Sequence, residues 1–191
     1  MIVRFILEKL NLWSLTTPAE EKRSSHNGIA LRDVNWNDHD DQAFFRETKR
    51  ALDLIANKDP RRYQRVRDYI DFIVNIESAS LASYNPGKIC KVDFGRYKFS
   101  EHPEWSHYMY AATLIHEATH GYLGAKGLRY VKRNRLRIES ICRSEENRFL
   151  SRIESDWGDA LRKLLRHEIG IRSLASNEPG SSSNASASHE S

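Results

Sequence analysis

The spacing of apolar residues changes several times along the chain, and each change marks an expected element. Near the start, Ile2, Phe5, Ile6 and Leu10 recur at helical spacing, which predicts a short amphipathic helix or docking arm. Residues 14 to 41 carry little apolar periodicity and many polar side chains ("TTPAEEKRSSHNG", "NWNDHDD"), the pattern of a loop. A helical period then begins with Phe44, Phe45, Thr48, Ala51, Leu52 and Ile55, and Asp40 or Asp41 is the expected N-cap. Pro60 punctuates this run, and "RRYQRVRDYI" restarts as a second helix.

The stretches "IDFIVNIE" and "KICKVDFGRYKFS" are short, β-branched and aromatic, and "SYNPGK" between them is turn chemistry. They predict two strands, paired antiparallel. "EWSHYMYAATLIHEATHGYLG" follows as a helix, thinned and ended by Gly121, Gly124 and Gly127. In "VKRNRLRIESICRSEENRFLSRI", Leu136, Ile138, Ile141, Cys142, Phe149 and Ile153 keep helical intervals, and a last helix is expected from about Asp156 to His167. The serine-rich end beyond Ser173 is almost without large apolar residues and predicts disorder. The expected organisation is an arm over 1–27, one domain over 28–172 and a disordered tail over 173–191. The domain is expected to be α+β, mainly helical, with a small sheet packed on the helix that carries "HEATH".

Composition narrows the class more than it alters the architecture. The 191 residues suit one domain, and 39% hydrophobic content suffices for a modest core. Cys90 and Cys142 are too few for a disulfide framework and suit a reducing compartment. No stretch approaches the roughly 18 to 20 apolar residues of a membrane span. Arg4, Glu8 and Lys9 interrupt the apolar start, and no small-residue cleavage site follows, unlike a signal peptide. A cytoplasmic location is the resulting expectation.

The candidate chemistry lies in "TLIHEATHGYLGAKG", residues 113 to 127. Residues four apart share one helix face, so the imidazoles of His116 and His120 sit side by side and reach one zinc ion at about 2 Å. Glu117 is turned about 100° around the axis, where it can lean over an open coordination position as general base. The helix is otherwise apolar, and burying these three polar groups on it would be costly without a shared purpose. A catalytic zinc site needs a third protein ligand besides an open position. The candidates are Glu139, 19 positions after His120, and Glu145 and Glu146, at 25 and 26.

The motif with a carboxylate on the following helix, HExxH with eighteen residues before Glu139, resembles the gluzincin class of zinc metallopeptidases. The spacing is similar to that of the zinc aminopeptidases within that class, over residues 113 to 146 only. The resemblance implies a zincin-like domain and a Zn2+ site of His116, His120 and Glu139, with Glu117 as catalytic base. No GxMEN-like stretch precedes the helix, so aminopeptidase specificity does not carry over. The HExxHxxGxxH pattern of metzincins is absent too. Glu139 also stands four residues from both Arg135 and Arg143, an arrangement that an ordinary helix ion pair would give. Glu146 shares its face and is the expected partner of a histidine Nδ1–H, or an alternative ligand. Cys142 is a further alternative, better suited to structural zinc.

The expected reaction is hydrolysis of a peptide bond in a peptide or protein substrate. Zinc polarises the carbonyl and acidifies water, while Glu117 moves the proton. Tyr122, Tyr130, Arg137 and His107 are equivalent candidates for a second oxyanion donor. By the same resemblance, "KICKVDFGRYKF" is the strand expected to edge the cleft and pair with substrate. Residues 126 to 172 hold 13 Lys or Arg against 7 Asp or Glu, and "RYVKRNRLR" and "PRRYQRVRDY" interleave arginine with tyrosine. Nucleic-acid contact is therefore a second expectation, and a DNA-associated SprT-type protease would unite the features. No cysteine pairs for the zinc ribbon common in such proteases are present. A non-catalytic zinc-binding interaction module is the remaining alternative.

Overall fold

In the computed structural model, residues 22–34, 42–99 and 101–153 are described. The expected N-terminal helix, the helix from 156 to 167 and the tail lie outside them. The elements in chain order are β1 (Lys22–His26), β2 (Ile29–Asp33), α1 (Ala43–Lys58), α2 (Pro60–Tyr69), β3 (Phe72–Asn75), β4 (Ala82–Asn85), β5 (Ile89–Val92), a 3-10 turn (Phe94–Tyr97), α3 (Pro103–Ala125) and α4 (Arg135–Ile153). This is an α+β fold: four helices and a mixed five-stranded sheet of order β1-β2-β3-β5-β4 among the described residues. No helix among them is long and apolar enough to cross a membrane.

Two expectations about the sheet change. Part of the stretch expected as loop is a β1–β2 hairpin, with His26 opposite Ile29. Its two-residue turn places Asn27 at φ 50° and Gly28 at φ 89°, the left-handed pair that an Asn-Gly hairpin adopts. The strands "IDFIVNIE" and "KICKV" are parallel rather than antiparallel, with Ile73 opposite Cys90. Parallel neighbours cannot be joined by a tight turn. The chain instead passes out to β4 at the edge and returns through Asn85–Lys88 as the antiparallel partner of β5. "SYNPGK" is turn chemistry as expected, but it joins β4 to β5.

The helices start where local chemistry lets them. Helix α1 is capped at Gln42 rather than at Asp40 or Asp41, which lie outside the described residues. At Pro60 the restart is as expected, with the Asp59 carboxylate accepting from the Arg62 N–H as N-cap. Helix α3 is the hub, packing against α1, α2, β4, β5 and the 3-10 turn. Its apolar residues are accordingly buried around most of its circumference. Tyr110 anchors it, fully buried, with its hydroxyl 2.8 Å from Thr48 Oγ1 on α1 and the rings of Phe94, Tyr97 and Phe99 around it.

Helix α4 is held by charge as well as by apolar contact. Ile138 and Cys142 bury against Leu123 at the end of α3, with Tyr122, Leu128 and Ile141 alongside. Glu145 accepts from Arg62 at 3.1 Å and Arg65 at 2.9 Å, both on α2, and from Arg148 at 2.7 Å. Asp59 pairs with Arg62 and lies 3.2 Å from Arg152 Nε. Burial alone would raise the Glu145 carboxyl, but Arg62 and Arg65 hold it below the usual carboxylate range.

At Gly121 an added Cβ would lie 2.8 Å from Tyr69 Cβ and 2.8 Å from the end of the Tyr84 ring. Tyr69 Cβ sits next to the α2 backbone and cannot swing away. Gly121→Ala is therefore expected to cost about 1–3 kcal/mol, read as a lowered denaturant midpoint. Glu145→Gln is expected to cost about 1–3 kcal/mol at pH 7. A depressed folded-state pKa gives stability that is present above the unfolded value of about 4.3 and is lost as pH falls through the folded one. Paired melts should thus show the wild-type advantage shrinking as pH drops below the ordinary glutamate range.

Candidate metal centre

His116, Glu117 and His120 lie in the middle of α3, so the motif is on a packed helix rather than a surface one. The two imidazoles face each other, with Nε2 atoms 3.2 Å apart and ring centroids 5.0 Å apart. From α4, the Glu139 carboxylate reaches between them, 3.3 Å from His116 Nε2 and 3.7 Å from His120 Nε2. Tetrahedral zinc with bonds of about 2.0–2.2 Å sets its donors roughly 3.3–3.6 Å apart. The 3.3 Å contact falls in that range, and the 3.2 and 3.7 Å contacts lie about 0.1 Å to either side of it.

Behind these donors, Glu146 Oε2 lies 3.2 Å from His116 Nδ1. That is the contact that fixes a metal-binding imidazole with its Nε2 pointing inward. The Tyr130 hydroxyl donates to Glu139 Oε1 at 2.6 Å, and its ring stands edge-on to His120 at 5.4 Å. Cys142 is fully buried beneath, and its sulfur lies within 4.8 Å of donor nitrogens on both histidines. Two donor sets therefore share the imidazoles. Glu139 is partly exposed, as an open site requires. Burial, followed by the charges of Glu139, Glu117 and Glu146, pushes the Cys142 thiol well up in the metal-free protein.

The electrostatics ask for a cation. Burial alone would lower the pKa of His116, but Glu139 and Glu146 outweigh it and hold the imidazole at about 9. The proton occupies the place of positive charge between two carboxylates. Once His116 holds that charge, its neighbour cannot: burial and the charge of His116 take His120 down to about 4. The hydrogen bond from His116, against the effect of burial, draws Glu139 down to about 2. Glu117, buried, is raised to about 7 by desolvation, with His116 and the Tyr84 backbone opposing and Glu139 and Glu146 reinforcing. Three carboxylates around two imidazoles form a donor set that a divalent cation would neutralise.

The four oxyanion candidates separate clearly. Only Tyr130 comes to the centre. Tyr122 packs on Tyr69 and under Arg65, His107 faces Glu47 at 3.8 Å, and Arg137 is exposed on α4. The expected edge strand is corrected as well. Ile89–Val92 lies inside the sheet between β3 and β4, and its continuation from Phe94 is a 3-10 turn. The edge beside α3 is β4, Ala82–Asn85, which packs on that helix and contributes Tyr84 next to Gly121 and Glu117. Sequence reasoning missed β4 because "ASYN" lacks a β-branched run. Comparisons with family models, curated proteins and solved structures find no match for this chain.

Zinc titration of the whole chain distinguishes the donor sets. Glu139→Ala is expected to weaken zinc binding by about 100-fold or more, and Glu146→Gln by about 10- to 100-fold. Cys142→Ala should change affinity by less than about threefold. A reversed order, with Cys142 dominant and Glu139 dispensable, would assign the ion to the buried thiol instead.

Proposed function

We infer that this protein is a zinc-dependent peptidase of zincin-like design. The observation that carries the reading is the convergence of His116 Nε2, His120 Nε2 and the Glu139 carboxylate at 3.2–3.7 Å. The buried carboxyl of Glu117 stands on the same helix as the imidazoles. Zinc, when bound, supplies Lewis-acid polarisation of a carbonyl and acidifies water.

The remaining work falls to the chain. Glu117, whose carboxyl lies near 7, is matched to taking a proton from water at neutral pH and returning it to a leaving amine. Its burial keeps it out of bulk solvent. Glu146 orients His116, and the Tyr130 hydroxyl, held on Glu139, is the side-chain donor at the open side of the centre. Strand β4 borders the motif helix and ends the sheet. That edge suits an extended peptide added as a further strand. Hydrolysis of a peptide bond is the chemistry this assembly favours.

One observation favours a second reading. The buried thiol of Cys142 near both imidazoles would make a closed, structural zinc site in a non-catalytic interaction module. Glu117→Gln separates the two. A peptidase should keep its zinc and fall by about 100-fold or more in kcat/KM on a peptide library. Absence of zinc-dependent cleavage by the wild type over that library would remove the enzymatic reading.

A further inference from the structure

Between α3 and α4 the chain crosses the open side of the metal centre as "GLRYVKRNR", and its charge is one-sided. Arg129, Lys132, Arg133, Arg135 and Arg137 are all exposed, and no Asp or Glu occurs from 126 to 138. Among the described residues no carboxylate forms an ion pair with Arg129, Lys132, Arg133 or Arg137. Exposed apolar surface lies among these cations: Tyr130 is 53% exposed, Val131 41% and Leu136 76%. An open groove of about 680 Å3 is lined by Gly127, Arg129, Val131, Lys132, Arg133 and Asn134. Tyr130, between Arg129 and Val131 of that lining in the chain, touches the centre: its ring contacts His120 and its hydroxyl bonds Glu139.

Strand β4, the sheet edge that packs on α3, is Ala82, Ser83, Tyr84 and Asn85 and brings no acidic residue. In the second basic stretch found in the sequence, Arg62 and Arg65 on α2 are committed to Asp59 and Glu145, while Arg61 and Arg67 are exposed. The α3–α4 loop concentrates four such cations, Arg129, Lys132, Arg133 and Arg137, within nine residues.

We propose that the α3–α4 loop is the specificity element of the cleft and receives an acidic segment of the peptide substrate, with Asp or Glu beside the scissile bond on the loop side. The loop cations supply charge complementarity, and Val131 and Leu136 supply apolar contact for the residues between. This rests on the peptidase reading, deepening it from any peptide to an acidic one.

The test uses zinc-loaded full-length Glu117→Gln protein, so that binding is measured whether or not turnover occurs. Three fluorescent peptides of equal length share a neutral core flanked by glutamates, glutamines or lysines. The glutamate peptide is expected to bind about 10-fold or more tighter than the glutamine one at low salt, with the gap closing as ionic strength rises. Arg129→Glu with Arg133→Glu should reverse the order, and Arg129→Gln with Arg133→Gln should flatten it. Circular dichroism should be unchanged for these exposed positions. Equal affinity for all three peptides would overturn the proposal. So would loop-dependent retention of single-stranded DNA without preference among the peptides. Cleavage by the wild type is scored separately, so loss of the peptidase reading is seen as no hydrolysis rather than as no selectivity.

Discussion

A carboxylate buried on an apolar helix must find positive charge nearby, and Glu117 meets that demand in the middle of α3. The covalent neighbour His116 carries the opposing charge only because Glu139 and Glu146 hold a proton on it. Each group in the cluster is thus conditional on the others. Removing the α4 carboxylates would leave an imidazole and a carboxyl that burial drives toward neutrality. A divalent cation at the same point would replace the shared proton with two charges.

The rest of the architecture keeps α4 where that cluster needs it. Ile138 and Cys142 on α4 bury against Leu123 on α3, and Phe149, Leu150 and Ile153 of α4 are buried as well. Glu145 adds a charged link to α2 through Arg62 and Arg65, and Arg65 also reaches Thr119 on α3 at 3.2 Å. Adjacent residues on α4 thereby serve two purposes, Glu145 toward the scaffold and Glu146 toward His116. On the other side, Gly121 lets the helix lie against Tyr69 and Tyr84 with no side chain between. That contact sets the distance between the motif helix and the sheet edge.

The alternatives differ in which surfaces they use. A peptidase uses the open side, where Glu139 and Tyr130 reach solvent and β4 ends the sheet. A structural zinc module would use the buried side, where Cys142 lies. Nucleic-acid contact would call on both basic stretches, and Arg62 and Arg65 of one are spent on internal ion pairs. The open-side reading accounts for more of the polar groups, including Glu117, which a purely structural site would bury without return.

Local chemistry decided a large part of this protein from the sequence alone. The period of α1, the stop and restart at Pro60, the α3 helix and the adjacency of His116 and His120 all follow from residues within a turn or two of each other. So does the chance for Glu139 and Glu146 to share a face of the next helix. The Asn27-Gly28 turn was legible too, but its flanking strands are short and rich in polar residues, so the alternation of Ile29 and Leu31 was outweighed. What only the tertiary structure decided involves distance along the chain. The parallel pairing of β3 with β5, the edge position of β4 and the choice of Tyr130 among four candidates depend on how separate elements pack. So does the commitment of Arg62 and Arg65 to Glu145. None of these contacts leaves a mark on sequence periodicity, because each is settled by burial and charge between segments that meet only in the folded chain.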